Sequence, residues 1–165
     1  MTFRTTLRLA AGTALAAGLV ASLPANAYRQ EISNDLSRCS AGNGPAVKVT
    51  VTGIKSSRGT MRVQTYRGTA SEWLAKGKWL HRVEAQARRG TMTFCLPVPA
   101  SGTYAVAVRH DVNGNGDTDL REDGGGMSNN PSINIFNLGK PSYRKTAFSV
   151  SSDVKPITIA MKYWG

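Results

Sequence analysis

Alternation of apolar and polar residues with a period of two recurs between Val47 and Tyr163 and confines this chain to β-structure. Val47, Val49 and Val51 alternate with Lys48, Thr50 and Thr52, and Met61, Val63 and Thr65 with Arg62, Gln64 and Tyr66. Successive side chains on an extended strand point to opposite faces, so each run reads as a strand with one face covered. Arg82–Ala87, Thr91–Leu96, Ala147–Val150 and Ile157–Tyr163 carry further strand signals. Thr103–His110 is the strongest. Tyr104, Val106 and Val108 share one face and Ala105 and Ala107 the other, which predicts a central strand with cover on both sides.

Turns, rather than long helices, separate these runs. Ser56-Ser57-Arg58-Gly59 and Arg88-Arg89-Gly90 predict two hairpins, the first joining 47–52 to 61–66 and the second joining 82–87 to 91–96. One helical signal stands out: Thr69-Ala70-Ser71-Glu72 has the form of a capping box, and Gly77 limits the helix to one or two turns. Trp73, Trp79 and Leu80 are read as packing on an edge or end, with stacking on a sugar as the alternative. Gly124 to Pro141 is Gly-, Asn- and Pro-rich and reads as one long connection. About seven strands then make an all-β, single-domain β-sandwich with one long loop and a short helical turn.

At the N-terminus, Arg4 and Arg8 precede the apolar run Leu9–Leu23, and Ala25-Asn26-Ala27 has the A-x-A form. Residues 1–27 are therefore expected to be a signal peptide cleaved after Ala27, the run being short and Ala-rich for a membrane span, with an uncleaved anchor as the alternative. Residues 28–45 read as an irregular lead-in and 46–165 as the sandwich domain. Cleavage leaves 138 of the 165 residues, enough for one core. A periplasmic or secreted chain meets an oxidising environment, so Cys39 and Cys95 are expected to form one disulfide. Their spacing suits neither a redox C-x-x-C pair nor a zinc site.

Loss of Arg4 and Arg8 lowers the formal charge from +11 to +9. Export, and the lack of an aromatic–basic motif, argue against nucleic acid. A merely solubilising basic surface is the plainer account of this charge and leaves the partner unknown; an anionic envelope polymer, lipid head groups carrying phosphate, or a protein are the alternatives. The acids are unevenly placed: Asp111, Asp117, Asp119, Glu122 and Asp123, five of the ten, fall within thirteen positions. Read from Asp111, side-chain oxygens stand at positions 1, 3, 5 and 9 (Asp111, Asn113, Asn115, Asp119), Gly116 at 6 and Glu122 at 12. This is the spacing of a calcium loop, in which Asp117 would give its carbonyl and Glu122 would close the site. An Asx-rich turn without metal is the alternative. A helix–loop–helix is not indicated, because a strand precedes Asp111 and Thr118 occupies position 8.

These residues lead us to expect a calcium-stabilised binding or structural module of the envelope, without catalytic activity. The alternative is a small periplasmic hydrolase using His110 and the acidic loop. It would need more metal-ligating histidines or a poised nucleophile, and Gly126-Met127-Ser128-Asn129-Asn130 is not a G-x-S-x-G elbow. Alternation also turns His110 inward with Val106 and Val108, while His81 has only Glu84 close by in sequence.

The run from Tyr104 through His110-Asp111 to Asp119, with Gly126-Met127-Ser128-Asn129 and the stretch from Pro141-Ser142-Tyr143 to Ala147-Phe148, resembles a family of secreted bacterial proteins. This is domain-of-unknown-function family 2141, in which a strand ending in His-Asp enters an Asn-Gly-rich loop. The likeness spans roughly Val47 to Tyr163, and Leu120–Gly125 departs from the family's Gly-Ile-Pro-type stretch. The resemblance implies an exported sandwich of Ig-like or prealbumin-like kind, and no particular activity.

Overall fold

The computed structural model describes residues 28–133 and 139–165. The expected signal peptide and the Ile135, Phe136 and Leu138 portion of the long connection lie outside the described residues. Ten strands occur among them: β1 (Gln30–Glu31), β2 (Ala46–Ile54), β3 (Thr60–Arg67), β4 (His81–Gln86), β5 (Gly90–Pro97), β6 (Gly102–Asp111), β7 (Gly124–Met127), β8 (Phe148–Val150), β9 (Val154–Ala160) and β10 (Lys162–Tyr163). A 3-10 turn at Leu36–Cys39 and one short helix, α1 (Tyr143–Thr146), complete the set.

Two sheets form the sandwich. The larger runs β1-β4-β3-β6-β7-β10, with β8 also paired to β6, and the smaller runs β5-β2-β9. Val47, Val49 and Val51 from β2, Phe94 and Leu96 from β5, and Ile159 from β9 bury against Met61, Val63, Val106 and Val108 of the larger sheet. The alternation read from the sequence is therefore the alternation between core and outer face. Burial of this apolar surface is the main term holding the layers together.

Both expected hairpins are corrected. β2 pairs with β5 and β9, while β3 pairs with β4 and β6. β4 likewise pairs with β3 and β1, not with β5. Each of the two turns carries the chain from one sheet to the other. A turn sequence specifies a reversal, but the partner of each strand is set by which layer its apolar face must cover.

The helical turn also lies elsewhere. At Thr69 the chain makes a single turn, with the Glu72 and Trp73 N–H groups donating to the Thr69 carbonyl. The carboxylate of Glu72 instead accepts from the Tyr28 hydroxyl at 2.8 Å, so no capping box forms. The helix is α1. Trp79 and Leu80 are buried in the body, in keeping with packing.

Gly124–Met127, expected as part of a loop, is a strand. β7 lies antiparallel to β6, and glycine is required there by crowding. A Cβ on Gly124 would lie 2.7 Å from Cζ of Tyr163, and one on Gly126 would lie 2.6 Å from Cγ2 of Ile159. The last expected strand divides at Met161: β9 runs parallel to β2 in the smaller sheet and β10 antiparallel to β7 in the larger.

The lead-in is more ordered than expected. β1 adds in parallel beside β4, and the Cys39–Cys95 disulfide, with Cα atoms 5.7 Å apart, ties the 3-10 turn to β5. Asn34 then answers two backbone groups of β5, donating Nδ2 to the Thr93 carbonyl (2.9 Å) and accepting from Cys95 N–H (3.0 Å). Asn130 treats β9 in the same way, donating to the Thr158 carbonyl (3.0 Å) and accepting from Ala160 N–H (2.8 Å). Both outer strands of the smaller sheet thus have a side-chain amide standing where a neighbouring strand would.

Candidate functional site

The end of β6 delivers His110 and Asp111 to opposite faces of the larger sheet. His110 is fully buried. Its Nδ1 lies 2.7 Å from the Tyr163 hydroxyl and its Nε2 lies 2.8 Å from the Arg58 carbonyl. Tyr163 in turn accepts from Lys55 N–H at 3.2 Å, so the pair pins β10 to the turn before β3.

His81 is remote from this pair. His110 sits opposite Met61 of β3, whereas the His81 N–H meets Thr65, four residues further along the strand, roughly 13 Å away. Its Nδ1 donates to the Pro97 carbonyl at 2.7 Å. Burial pushes the imidazole below its ordinary value of 6.5; the Pro97 carbonyl opposes that shift, and Arg38 adds to it. The unfolded chain therefore takes up this proton more readily than the folded one. Stability that is intact above 6.5 is lost as pH falls through the depressed value. Urea melts at about pH 7.5 and about pH 5 should show wild type losing stability relative to His81→Gln at the lower pH. A constant difference between the two would remove this role.

Asp111 organises the loop. Its Oδ1 accepts from Gly114 N–H (2.8 Å) and its Oδ2 from Gly116 N–H (2.9 Å). Both glycines take the left-handed conformation, with φ of 74° and 84°, which brings their amides round to one carboxylate. Asn113 and Asn115 form successive Asx turns, accepting from the Asn115 and Asp117 amides. Their Nδ2 groups converge on a single oxygen, Oδ2 of Asp119, each at 2.8 Å. Those two bonds, from Asn113 first and then Asn115, hold the Asp119 carboxyl below its ordinary value of 3.8 against desolvation, and Arg109 adds to the shift.

Asp117 and Glu122 are exposed, and Glu122 gives its backbone N–H to the Asp119 carbonyl at 3.0 Å. The residue that turns inward at the end of the loop is Asp123. It is buried, accepts from Val112 N–H through Oδ1 (2.9 Å) and from Asp119 N–H through Oδ2 (3.0 Å), and so closes the loop. In the sequence Asp123 stands among the clustered acids, and the calcium-loop spacing gives it no role.

Arg109 is the other residue to which that spacing does not point. Its Nη2 donates to Asp111 Oδ2 (3.0 Å) and to the Gly116 carbonyl (2.8 Å), and its Nη1 donates to Thr118 Oγ1 (3.2 Å). Its Nε is buried without a hydrogen-bond partner among the described residues. Period two places Arg109 on the same outer face as Asp111, so the pairing was available from the sequence. Among the described residues, no three His, Cys, Asp or Glu side chains are grouped so that they could hold a metal ion by themselves.

The fold and the loop define a class: a two-sheet, all-β domain whose central strand runs straight into an Asx- and glycine-built acidic turn. Over residues 49–158 the chain matches the model of the family described as uncharacterized protein conserved in bacteria (DUF2141), and it belongs to that family. No curated protein and no solved structure gives a match. No helix among the described residues is long and apolar enough to cross a membrane.

Proposed function

We propose that this chain is an exported, non-catalytic binding or structural module of the cell envelope whose loop, Asp111–Asp123, is stiffened by one calcium ion. The observation that carries the reading is the convergence of Asn113 and Asn115 on one Asp119 oxygen, within a loop wound round Asp111 by two left-handed glycines. Asp111, Asn113, Asn115 and Asp119, with the carbonyl of Asp117, would hold the ion, and Glu122 would close the set. The donors are hard oxygens of the kind calcium takes. Each Asn Oδ1 already accepts one loop amide, and its remaining lone pair is the one an ion would take. Arg109 lends the loop part of the positive charge it needs. Competition from Arg109 for the Asp111 carboxylate favours weak binding, on the order of 10⁻⁴ to 10⁻³ M.

Engagement of both ring nitrogens of His110 inside the sandwich supports a module that binds rather than reacts. The Cys39–Cys95 disulfide supports an oxidising compartment. In calorimetric titration the wild type is expected to take one calcium ion in that range. Its melting temperature should rise by a few degrees at about ten times Kd, where linkage gives roughly 1.4 kcal/mol. Asp119→Ala should abolish both effects, and Arg109→Gln should tighten the ion several-fold. Superimposable melts of wild type in calcium and in chelator would reject the proposal.

A further inference from the structure

We infer that the outer face of the larger sheet carries a second site, which takes a small amphipathic anion: an apolar body with one acidic head. A cleft of about 330 Å³ lies there, over β3, β6 and β7 and beside the acidic loop. Register explains its floor. Arg62 of β3, Arg109 of β6 and Gly125 of β7 lie in one row across the sheet. The row continues to Lys162 of β10 across a residue with no side chain, so the sheet is open at Gly125, and the Trp164 ring leans over the gap.

The walls are apolar and exposed. Leu120 is 60% exposed and Trp164 is 40% exposed; both line this cleft, and Leu36 is the only other large hydrophobic residue so exposed among the described residues. Leu74 completes the wall from a left-handed backbone conformation, φ 53°, which a leucine adopts only against a steric penalty. Apolar side chains gathered round a concave space of this size are the ordinary lining of a small-molecule site.

Charge selects the head group. Lys140 lines the cleft and makes no ion pair among the described residues. Arg62 binds Glu84 through Nε at 2.6 Å, and among the described residues its terminal amino groups make no hydrogen bond. The one carboxylate in the lining among the described residues, Asp123, is already spent on the Val112 and Asp119 amides. The cleft therefore presents two cationic tips above apolar walls, in a chain of formal charge +11. An anion with a hydrophobic body matches both, and a neutral amphiphile or a cation matches only one or neither.

Isothermal titration with decanoate and with 2-naphthoate tests this, using decan-1-ol as the uncharged control and chelator throughout, so that the calcium reading plays no part. Saturable one-to-one binding of at least one anion is expected, tenfold or more tighter than decan-1-ol. The better anion distinguishes an alkyl body from a ring. Leu120→Asp and Trp164→Ala should each weaken it at least tenfold, and Lys140→Gln about threefold, with melting temperatures close to wild type. The site is overturned if neither anion binds, if decan-1-ol binds equally well, or if Leu120→Asp and Lys140→Gln bind as wild type does.

Discussion

Gly59→Ala is expected to destabilise this protein by roughly 3 kcal/mol or more, lowering the melting temperature by about 10 °C. Gly59 has φ of 71° and lies beneath the start of the acidic loop; a Cβ there would run into the Asp111 carbonyl and sit 2.7 Å from the Val112 oxygen. Two costs combine. The left-handed backbone disfavours any L side chain by about 1–2 kcal/mol. The clash is with backbone, which cannot rotate away, so either the turn or the end of β6 must shift. The neighbouring contacts raise the cost, since the Arg58 carbonyl binds His110 and the Gly59 carbonyl takes the Ala87 N–H. Gly114→Ala is the control. It shares the left-handed φ, 74°, but a Cβ there meets nothing within 4 Å, so the conformational term alone remains. Urea melts giving equal losses for the two variants would show that contact with Asp111 and Val112 is not what requires glycine at position 59.

Replacing both Cys39 and Cys95 by serine should cost about 4 kcal/mol in the chain-entropy view of a crosslink closing so long a loop. The partners are 56 residues apart, and the bridge joins the segment before β2 to β5. That segment is not held by sulfur alone: Arg29, Gln30 and Ile32 give their amides to the carbonyls of Trp79, Leu80 and Arg82, and Asn34 grips β5. The double serine variant is therefore expected to remain folded at moderate temperature while its urea midpoint falls sharply. Hydrogen exchange should report early opening at Gln30–Cys39. A midpoint unchanged by reduction of the wild type would mean that the unfolded chain gains little freedom from losing the bridge.

The legibility of this fold in its sequence is uneven, for physical reasons. Thr103–His110 was readable because burial imposes period two, and the structure keeps Val106, Val108 and His110 on the inner face; the expected outer cover is complete at Ala105 and only partial at Ala107 and Arg109. The pairing of Cys39 with Cys95 followed from there being two cysteines and an expected oxidising compartment. Strand partners were not readable. Ser56–Gly59 and Arg88–Gly90 are good turns whether they join neighbours or cross between layers, and only the complete core decides. β7 was hidden because glycine usually marks a loop, whereas here Gly124 and Gly126 make room for Tyr163 and Ile159. In the acidic loop the spacing drew attention to Glu122, yet Asp123 turns inward and binds two amides.

Asn34 and Asn130 also bear on how this chain behaves among copies of itself. Each lays a side-chain amide along the rim of β5 or β9 and takes up the donor and acceptor that an incoming extended segment would need. A newcomer would have to evict that asparagine before zipping on, giving up two hydrogen bonds to gain two. At that rung each outer strand of the smaller sheet is closed to a newcomer by an amide rather than by electrostatic repulsion.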